Sequence, residues 1–452
     1  MRFVSATLAA AALAGVLATP AHADQEFPAT LAGHAILPAA SFLDAPADAP
    51  ADLKVSGKFA APGGRRVDAV GSVPGMDGVR PTGLSFPFKG QPLQGFSGIK
   101  TVGDGTFWVI TDNGFGAKAN SPDSMLMLNR FRIDWQKGAV ERVEGIFLHD
   151  PDRKVPFRIA NEGTEKRYLT GADLDIESFQ IVGDKIWIGE EFGPFLVRAD
   201  RTGKIEAVVE TRVDGKPVRS PDHPAVTTPA TPDGKVAFNL RRSKGYEGMA
   251  ASKDGKFLYA LLEGPLWDAE KGAYEGEKGK EYLRIVEFDV ARGDWSGRHW
   301  TYPLEQNGHA IGDFNMIDAT TGLIIERDNA EGSADKACPA GEKRPDCFEA
   351  PAKFKRVYKI ELTDANAGGA VRKIGHIDLM KIRDPNGKAR QGGREGLFDF
   401  PFFTIENVDV VDERHIVVGN DNNLPFSAGR VPNKADDNEF VLLEVADLLK
   451  AR

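Results

Sequence analysis

The chain is short of several things, and each shortage narrows what it does. Cysteine is almost absent, with two in 452 residues. They close the segment CPAGEKRPDC as Cys338 and Cys347. Their spacing is not that of a C-x-x-C redox or metal motif, so the pair reads as a disulfide stapling a Pro- and Gly-containing loop. A basic excess is missing: 57 Lys and Arg face 66 Asp and Glu, a formal charge of −9. That balance argues against a nucleic-acid partner. Beyond the N-terminal segment no apolar run is long enough to span a bilayer, so stable membrane insertion is not expected. No G-x-S-x-G nucleophile elbow occurs, and GFSG around Ser97 lacks its spacing. No H-E-x-x-H, P-loop or Rossmann glycine pattern stands in a suitable context.

The start of the chain, MRFVSATLAAAALAGVLATPAHADQ, has a basic residue, an Ala/Leu-rich run and the small-residue pattern Ala21-His22-Ala23. This is the pattern of a secretory signal, with cleavage expected near Ala23 and a periplasmic or secreted product. A membrane anchor is the rival, but the run is short for a span, and Pro20 and His22 interrupt its end. The expected organisation is a signal peptide over 1–23, a partly irregular segment over 24–79 that can help close the fold, and one repeat-built unit over 80–452.

Long amphipathic helices are also lacking, apart from a short terminal one in ADLLKAR. What is present instead is a succession of short β-branched and aromatic runs, TFWVIT, KIWIGE, FLYALLE, YLRIVEFDV, RVYKIEL and HIVVGN, separated by Gly, Asp and Asn turns. Many short strands with regular turns indicate an all-β sandwich, barrel or propeller. A repeat favours the propeller. Five stretches align as hairpins: Ser97 to Gly116, Glu177 to Pro194, Glu247 to Pro265, Asn315 to Asn329 and Glu406 to Asn423. Anchored on Trp108, Trp187, Tyr259, Ile324 and Val417, each has an acid four residues later: Asp112, Glu191, Glu263, Asp328 and Asp421. The residues that open the hairpins are Ser97, Glu177, Glu247, Asn315 and Glu406, spaced by 80, 70, 68 and 91 residues. Such spacing suits one four-stranded blade per repeat.

A hairpin returns to the end it left, so both columns should lie on one rim. In a propeller that rim surrounds the axis, and crowded carboxylates repel unless a cation joins them. Hard oxygen donors with few His or Cys suit calcium (Ca2+) best. The metal candidates are Asp112, Glu191, Glu263, Asn315, Asp328, Glu406 and Asp421. A plainer reading stands beside this one, because Asp, Asn and Gly are common turn residues for backbone reasons alone.

The stretches DLDIESFQIVGDKIWIGEEFGP, RRSKGYEGMAASKDGKFLYALLEGP, IERDN and ENVDVVDERHIVVGNDNN resemble the phytase-like family, often named "esterase-like activity of phytase", over about residues 80–448. The resemblance implies an exported bacterial β-propeller, usually six-bladed, similar in architecture to calcium-dependent propeller phytases. Its name implies ester or phosphoester hydrolysis. The sixth blade would come from the region after Asn329, or the ring would be closed by N-terminal strands such as HAILPAASF.

Phosphoester hydrolysis needs neutralised charge, a positioned water and basic groups for the phosphate. Glu177, Glu247, Arg242 and Arg327 are the catalytic candidates, with Arg241 and Lys244 for substrate binding. Each of these cations can equally ion-pair with a neighbouring acid. Tyr246 and Trp187 read as core or as site walls, His149 as a surface residue or a general acid, and Asp173 and Asp175 as turn residues or further ligands. Ser97 reads as a blade variant. The leading expectation is a calcium-dependent phosphoesterase, acting as a monomer on a small-molecule ester or phosphoester. A calcium-dependent lactonase or carboxylesterase and a non-catalytic, calcium-stabilised binding propeller are the alternatives.

Overall fold

The apolar runs become strands, and the strands group in fours. The structure, a computed structural model, describes residues 25–61 and 66–452; the expected signal peptide and its cleavage point lie outside the described residues. Blade one is Phe96–Thr101, Thr106–Thr111, Met127–Asp134 and Ala139–Phe147. Blade two is Ile176–Val182, Lys185–Glu190, Phe195–Asp200 and Ile205–Glu210. Blade three is Gly248–Ala251, Phe257–Leu261, Lys280–Asp289 and Asp294–Pro303. Blade four is Ala310–Met316, Thr321–Arg327, Lys355–Glu361 and Arg372–Asp378, with Gln25–Phe27 added in parallel on its outer edge. Blade five is Thr404–Val410, His415–Asp421 and Asn438–Glu444, completed by the N-terminal strand Thr30–Leu37. Within each blade successive strands pair antiparallel.

The first strands of the five blades neighbour one another in a closed ring, blade five meeting blade one. The molecule is a nearly all-β propeller with only short helices, among them Ala446–Lys450 at the C-terminus. The described residues form five blades, and the expectation of a sixth is corrected. HAIL supplies the outer strand of blade five, so the N-terminus closes an existing blade. The region after Asn329 is a connection between the second and third strands of blade four. The boundary expected at 79/80 falls at the tip of a hairpin, Val73–Asp77 with Arg80–Phe86.

Packing follows from strands covered on both faces. In KIWIGE, Ile186 and Ile188 face blade one while Trp187 faces blade three, because side chains alternate along a strand. Each pair of adjacent blades traps its own apolar core, five in all, and Trp187 and Tyr246 belong to the core between blades two and three. No helix among the described residues is long and apolar enough to cross a membrane.

Cys338 and Cys347 form the expected disulfide, with Cα atoms 5.0 Å apart. It closes a short loop, worth about 2–3 kcal/mol by chain entropy. A Cys338→Ser/Cys347→Ser variant should therefore be cut faster by proteases between residues 338 and 347 with an unchanged circular dichroism spectrum. Equal cutting rates would show that the staple does not order the loop.

Candidate metal centre on the propeller axis

The ring of acids arises from a repeated irregularity in the blades. In blades two and five the first strand carries an extra residue at the rim, where pairing shifts between Ile176 and Ser178 and between Ile405 and Asn407. The extra residues are Glu177 and Glu406. Such bulges re-aim a side chain out of the ladder, here toward the axis. Glu247 holds the same place just before the first strand of blade three, and Ser97 holds it in blade one. The returning strands end at Asp112, Glu191, Glu263 and Asp421, one residue past the hairpin's rim pair.

Blade four departs from the expected alignment. Its pairing runs Ala310 to Arg327 and Ile311 to Glu326, then shifts before Phe314 and Ile324. Glu326 therefore matches Glu190, and the residue in the ring is Arg327, with Gly312 opposite it in the leading column. Anchoring on Ile324 slipped this hairpin by one residue, and a one-residue slip sends every side chain to the other face. Gly312 is required by crowding: a Cβ there would meet the Ile405 carbonyl oxygen at 2.4 Å.

Asp328 is corrected from metal ligand to loop anchor. Its carboxylate accepts from the backbone N–H of Lys353 at 2.8 Å and Phe354 at 3.0 Å and pairs with the buried Lys355 at 3.0 Å. Burial raises this carboxyl, but Lys355 and the backbone donors outweigh it and hold the group below the usual carboxylate range. Asn315 is corrected as well. It lies three residues deeper along the channel, about 10 Å at strand rise, in a second ring with Lys100, Gln180 and Asp409. Its Oδ1 accepts from Lys100 Nζ and from Gln180 Nε2, both at 2.8 Å, and its Nδ2 donates to Asp313 at 3.0 Å. That deeper ring is hydrogen-bonded within itself and leaves Asn315 no free oxygen for a cation.

The upper ring is different. Three groups of carboxylates each bring one oxygen within 4.8 Å of the others: Asp175, Glu177 and Glu191; Glu177, Glu247 and Glu406; Glu191, Glu247 and Glu263. Asp175, left open between turn and ligand, joins the cluster, and its Oδ1 accepts from Asn113 Nδ2 at 2.8 Å. All are buried. Oε1 of Glu191, of Glu247 and of Glu263 is buried without any hydrogen-bond partner. An unpaired buried carboxylate oxygen is costly. Glu191, Glu247 and Glu263 make up one of these triads, so the ring is a set of buried oxygen donors that could hold a metal ion.

The electrostatics agree. Burial first, then neighbouring carboxylates, push Glu177, Glu191, Glu247 and Asp421 well above the usual range. Asp112 is raised to about 8 by burial and by Asp175 and Glu406. Glu406 is also raised by burial, although Arg327 Nη2 donates to its Oε1 at 2.9 Å. Arg327 and Lys244 are the ring's counter-charges: Arg327 reaches Glu263 at 3.9 Å, and Lys244 pairs with the other oxygen of Glu263. Glu190, next to a ring acid, plays a separate part. Its carboxylate accepts from the backbone N–H of Phe192, Gly193 and Phe195 and so clamps the turn that aims Glu191.

Of the other candidates, Ser97 lines the ring and the rest stand outside it. Arg241 lies over the Tyr274 ring at 3.9 Å and 3.6 Å from Glu281. Arg242 pairs with Asp222, whose charge is felt by Asp175 at the ring's margin. Ser97 Oγ reaches Glu406 at 3.4 Å. Asp173 accepts from the backbone of Thr170 and Ala160 and is a turn anchor. His149 contacts the Phe147 carbonyl at 3.1 Å, beside Tyr168 and away from the ring.

A propeller with a buried carboxylate cluster at one end of its axis defines the class of molecule. The chain belongs to the family described as phytase-like, esterase-like activity of phytase, which matches residues 91–424. A curated relative, an uncharacterized secreted protein of Arthroderma benhamiae, is 27% identical over 136 residues, 26% of this chain and 24% of that protein. The chain thus spans about a quarter of that relative's length. Among solved structures, a periplasmic gluconolactonase of Pseudomonas aeruginosa is 12% identical over 82% of this chain and 98% of its own, with a TM-score of 0.30. The Dos1 propeller is 10% identical over 79% of this chain and 70% of its own, with a TM-score of 0.28. The propeller assignment stands on the sheet topology and not on these likenesses.

Proposed function

We propose that this chain is an exported, calcium-dependent hydrolase of ester bonds, with phosphoesters as its first substrate class. The observation that carries the proposal is the buried triad of Glu191, Glu247 and Glu263, each of which also has one oxygen without a partner. Calcium held there would neutralise phosphoryl charge and lower the pKa of a bound water. The chain's own groups do the rest. Arg327 has its Nε buried without a partner, beside the acids, and offers a donor to a phosphoryl oxygen. Glu177, which belongs to two of the three triads, would take a proton from a water at the ring. Family membership supports ester chemistry. The Cys338–Cys347 disulfide and the relative described as secreted support export.

The test is phosphate release from phytate, phosphomonoesters and phosphodiesters by metal-stripped protein titrated with calcium. Release should appear with calcium and fall by at least about 100-fold in Glu247→Gln, which removes a direct ligand where even outer-shell losses cost 10–100-fold. One observation favours a second reading. Arg241 and Arg242 are both engaged by acids, which leaves few cations for phosphate. A lactone or carboxylic ester needs fewer. Calcium-dependent acid release from lactones, with no phosphate freed from any ester, would select that reading. Calcium binding with no turnover of either class would leave a binding propeller.

A further inference from the structure

A cavity of about 640 Å³ opens beside the acidic ring. Three of its lining residues touch ring residues directly. Asn329 accepts from Arg327 Nη1 at 3.2 Å, Phe403 lies under the Arg327 guanidinium at 5.6 Å, and Asn423 donates its backbone N–H to Asp421 at 2.7 Å. The far walls come from two elements remote in sequence. One is the tip of the Val73–Asp77/Arg80–Phe86 hairpin, where Val79 is 70% exposed. The other is the disulfide-stapled connection of blade four, which contributes Phe348. Arg80 holds the two together by pairing with Glu331 and lying over the Phe348 ring at 4.8 Å.

The chemistry of the walls is apolar with its charges already paired. Val79, Phe403 and Phe426 face the cavity, with the buried Phe348 behind them under Arg80, and Phe403 is 38% exposed despite its position beside a buried arginine. The cations at the margin are engaged: Arg80 by Asp77 and Glu331, Lys343 by Glu349 at 2.9 Å, and Arg344 by Asp346 and Glu342. Such a cavity does not suit a second or third phosphate. It suits a ring or branched alkyl group whose ester end reaches the metal centre.

We propose that this cavity binds the apolar organic group of the substrate, so that the enzyme selects aryl or alkyl monoesters over polyphosphates. The inference rests on the proposed hydrolase reading only for the reacting end of the substrate. The hairpin that supplies Val79 lies before residue 91, outside the stretch matched to the family. The pocket thus joins a wall from this N-terminal hairpin to walls from the matched stretch, which holds Phe348 and Phe403.

The test uses non-hydrolysable probes on the calcium-loaded, full mature protein. Phenylphosphonate, methylphosphonate and inorganic phosphate are compared by calorimetry, with Val79→Asp and Phe403→Ala as variants checked for folding by circular dichroism. Phenylphosphonate should bind at least about tenfold tighter than methylphosphonate, the scale of an apolar pocket contact. The preference should shrink to about twofold or less in both variants. Equal affinities in the parent protein, a preference untouched by both variants, or no phosphonate binding at all would each overturn the proposal. Turnover of phenyl and methyl phosphate is read separately. A phenyl preference in binding with no turnover keeps the pocket and removes the hydrolase reading; turnover indifferent to the organic group does the reverse.

Discussion

Stripped of divalent cations, the protein should lose stability as pH rises from about 4 to about 8, and calcium should restore it. The cause is the cluster of buried carboxyls. Unfolded, Asp and Glu titrate near 3.9 and 4.3. Folded without a cation, Asp112 titrates at about 8, and Glu177, Glu191, Glu247 and Asp421 are held well above their ordinary values by burial and mutual repulsion. Between the unfolded and folded values the native state holds more protons than the unfolded chain. Stability is then greatest below the unfolded values and falls with rising pH. Arg327 and Lys244 oppose the effect but already serve Glu406 and Glu263, and the backbone N–H groups of Gly114 and Asn423 oppose it at Asp112 and Asp421. The summed change is on the order of several kcal/mol, because the acids titrate as a coupled set and share one penalty. A bound cation reverses the logic by stabilising the ionised forms, so its contribution grows with pH. Calorimetric melting at pH 5, 6.5 and 8, with chelator and with calcium, reads this directly. Melting temperatures that ignore both pH and chelator would show that the ring is not a cation site.

Most of the blade hairpins were legible in the sequence because each combines a polar opening residue, two apolar strands and a closing acid. Blade four was not. In TGLIIERDN three adjacent apolar residues, Leu323, Ile324 and Ile325, leave the strand's phase open, and all three are buried. With both faces covered by neighbouring blades, alternation carries no signal. The bulge at Gly312 and Asp313 adds a second ambiguity, since a bulge shifts register without a composition of its own. Together they put Asp328 and Asn315 in the ring where Arg327 and Gly312 stand. The sixth blade came from the family resemblance, whereas the hairpins alone number five. Closure by an N-terminal strand was an expectation, but its partner, Asn438–Glu444, lies across nearly the whole chain, and nothing local names it. The cavity was illegible for the same reason: Arg80 and Glu331, which bind its walls together, are 251 residues apart. Asp175 is hard to place from the sequence, since it lies just before the strand and the bulge at Glu177 breaks the alternation.

The misread position is also the one whose replacement should say most about the ring. Arg327 is buried, donates to Glu406 at 2.9 Å and lies 3.9 Å from Glu263. Every other blade puts an acid at this place, so blade four supplies the counter-charge where its neighbours supply carboxylates. Removing one partner of a buried ion pair costs about 3–5 kcal/mol, because the other charge is left uncompensated. Arg327→Leu should therefore destabilise the cation-free protein by that order near neutral pH, with the loss shrinking in acid as Glu406 takes up a proton. Calcium affinity should move the opposite way. With the competing positive charge gone, the oxygens of Glu263 and Glu406 are freed for a cation, and binding should tighten about tenfold or more, one power of ten per 1.4 kcal/mol. Phosphoester turnover should still fall, since the donor to the phosphoryl oxygen has been lost. Arg327→Lys should recover stability but little turnover, a point charge replacing a planar fork. Calcium calorimetry, melting in chelator and phosphate release on the three proteins separate these effects. A leucine variant that keeps its stability in chelator and binds calcium more weakly would show that Arg327 orders the ligands rather than balancing them.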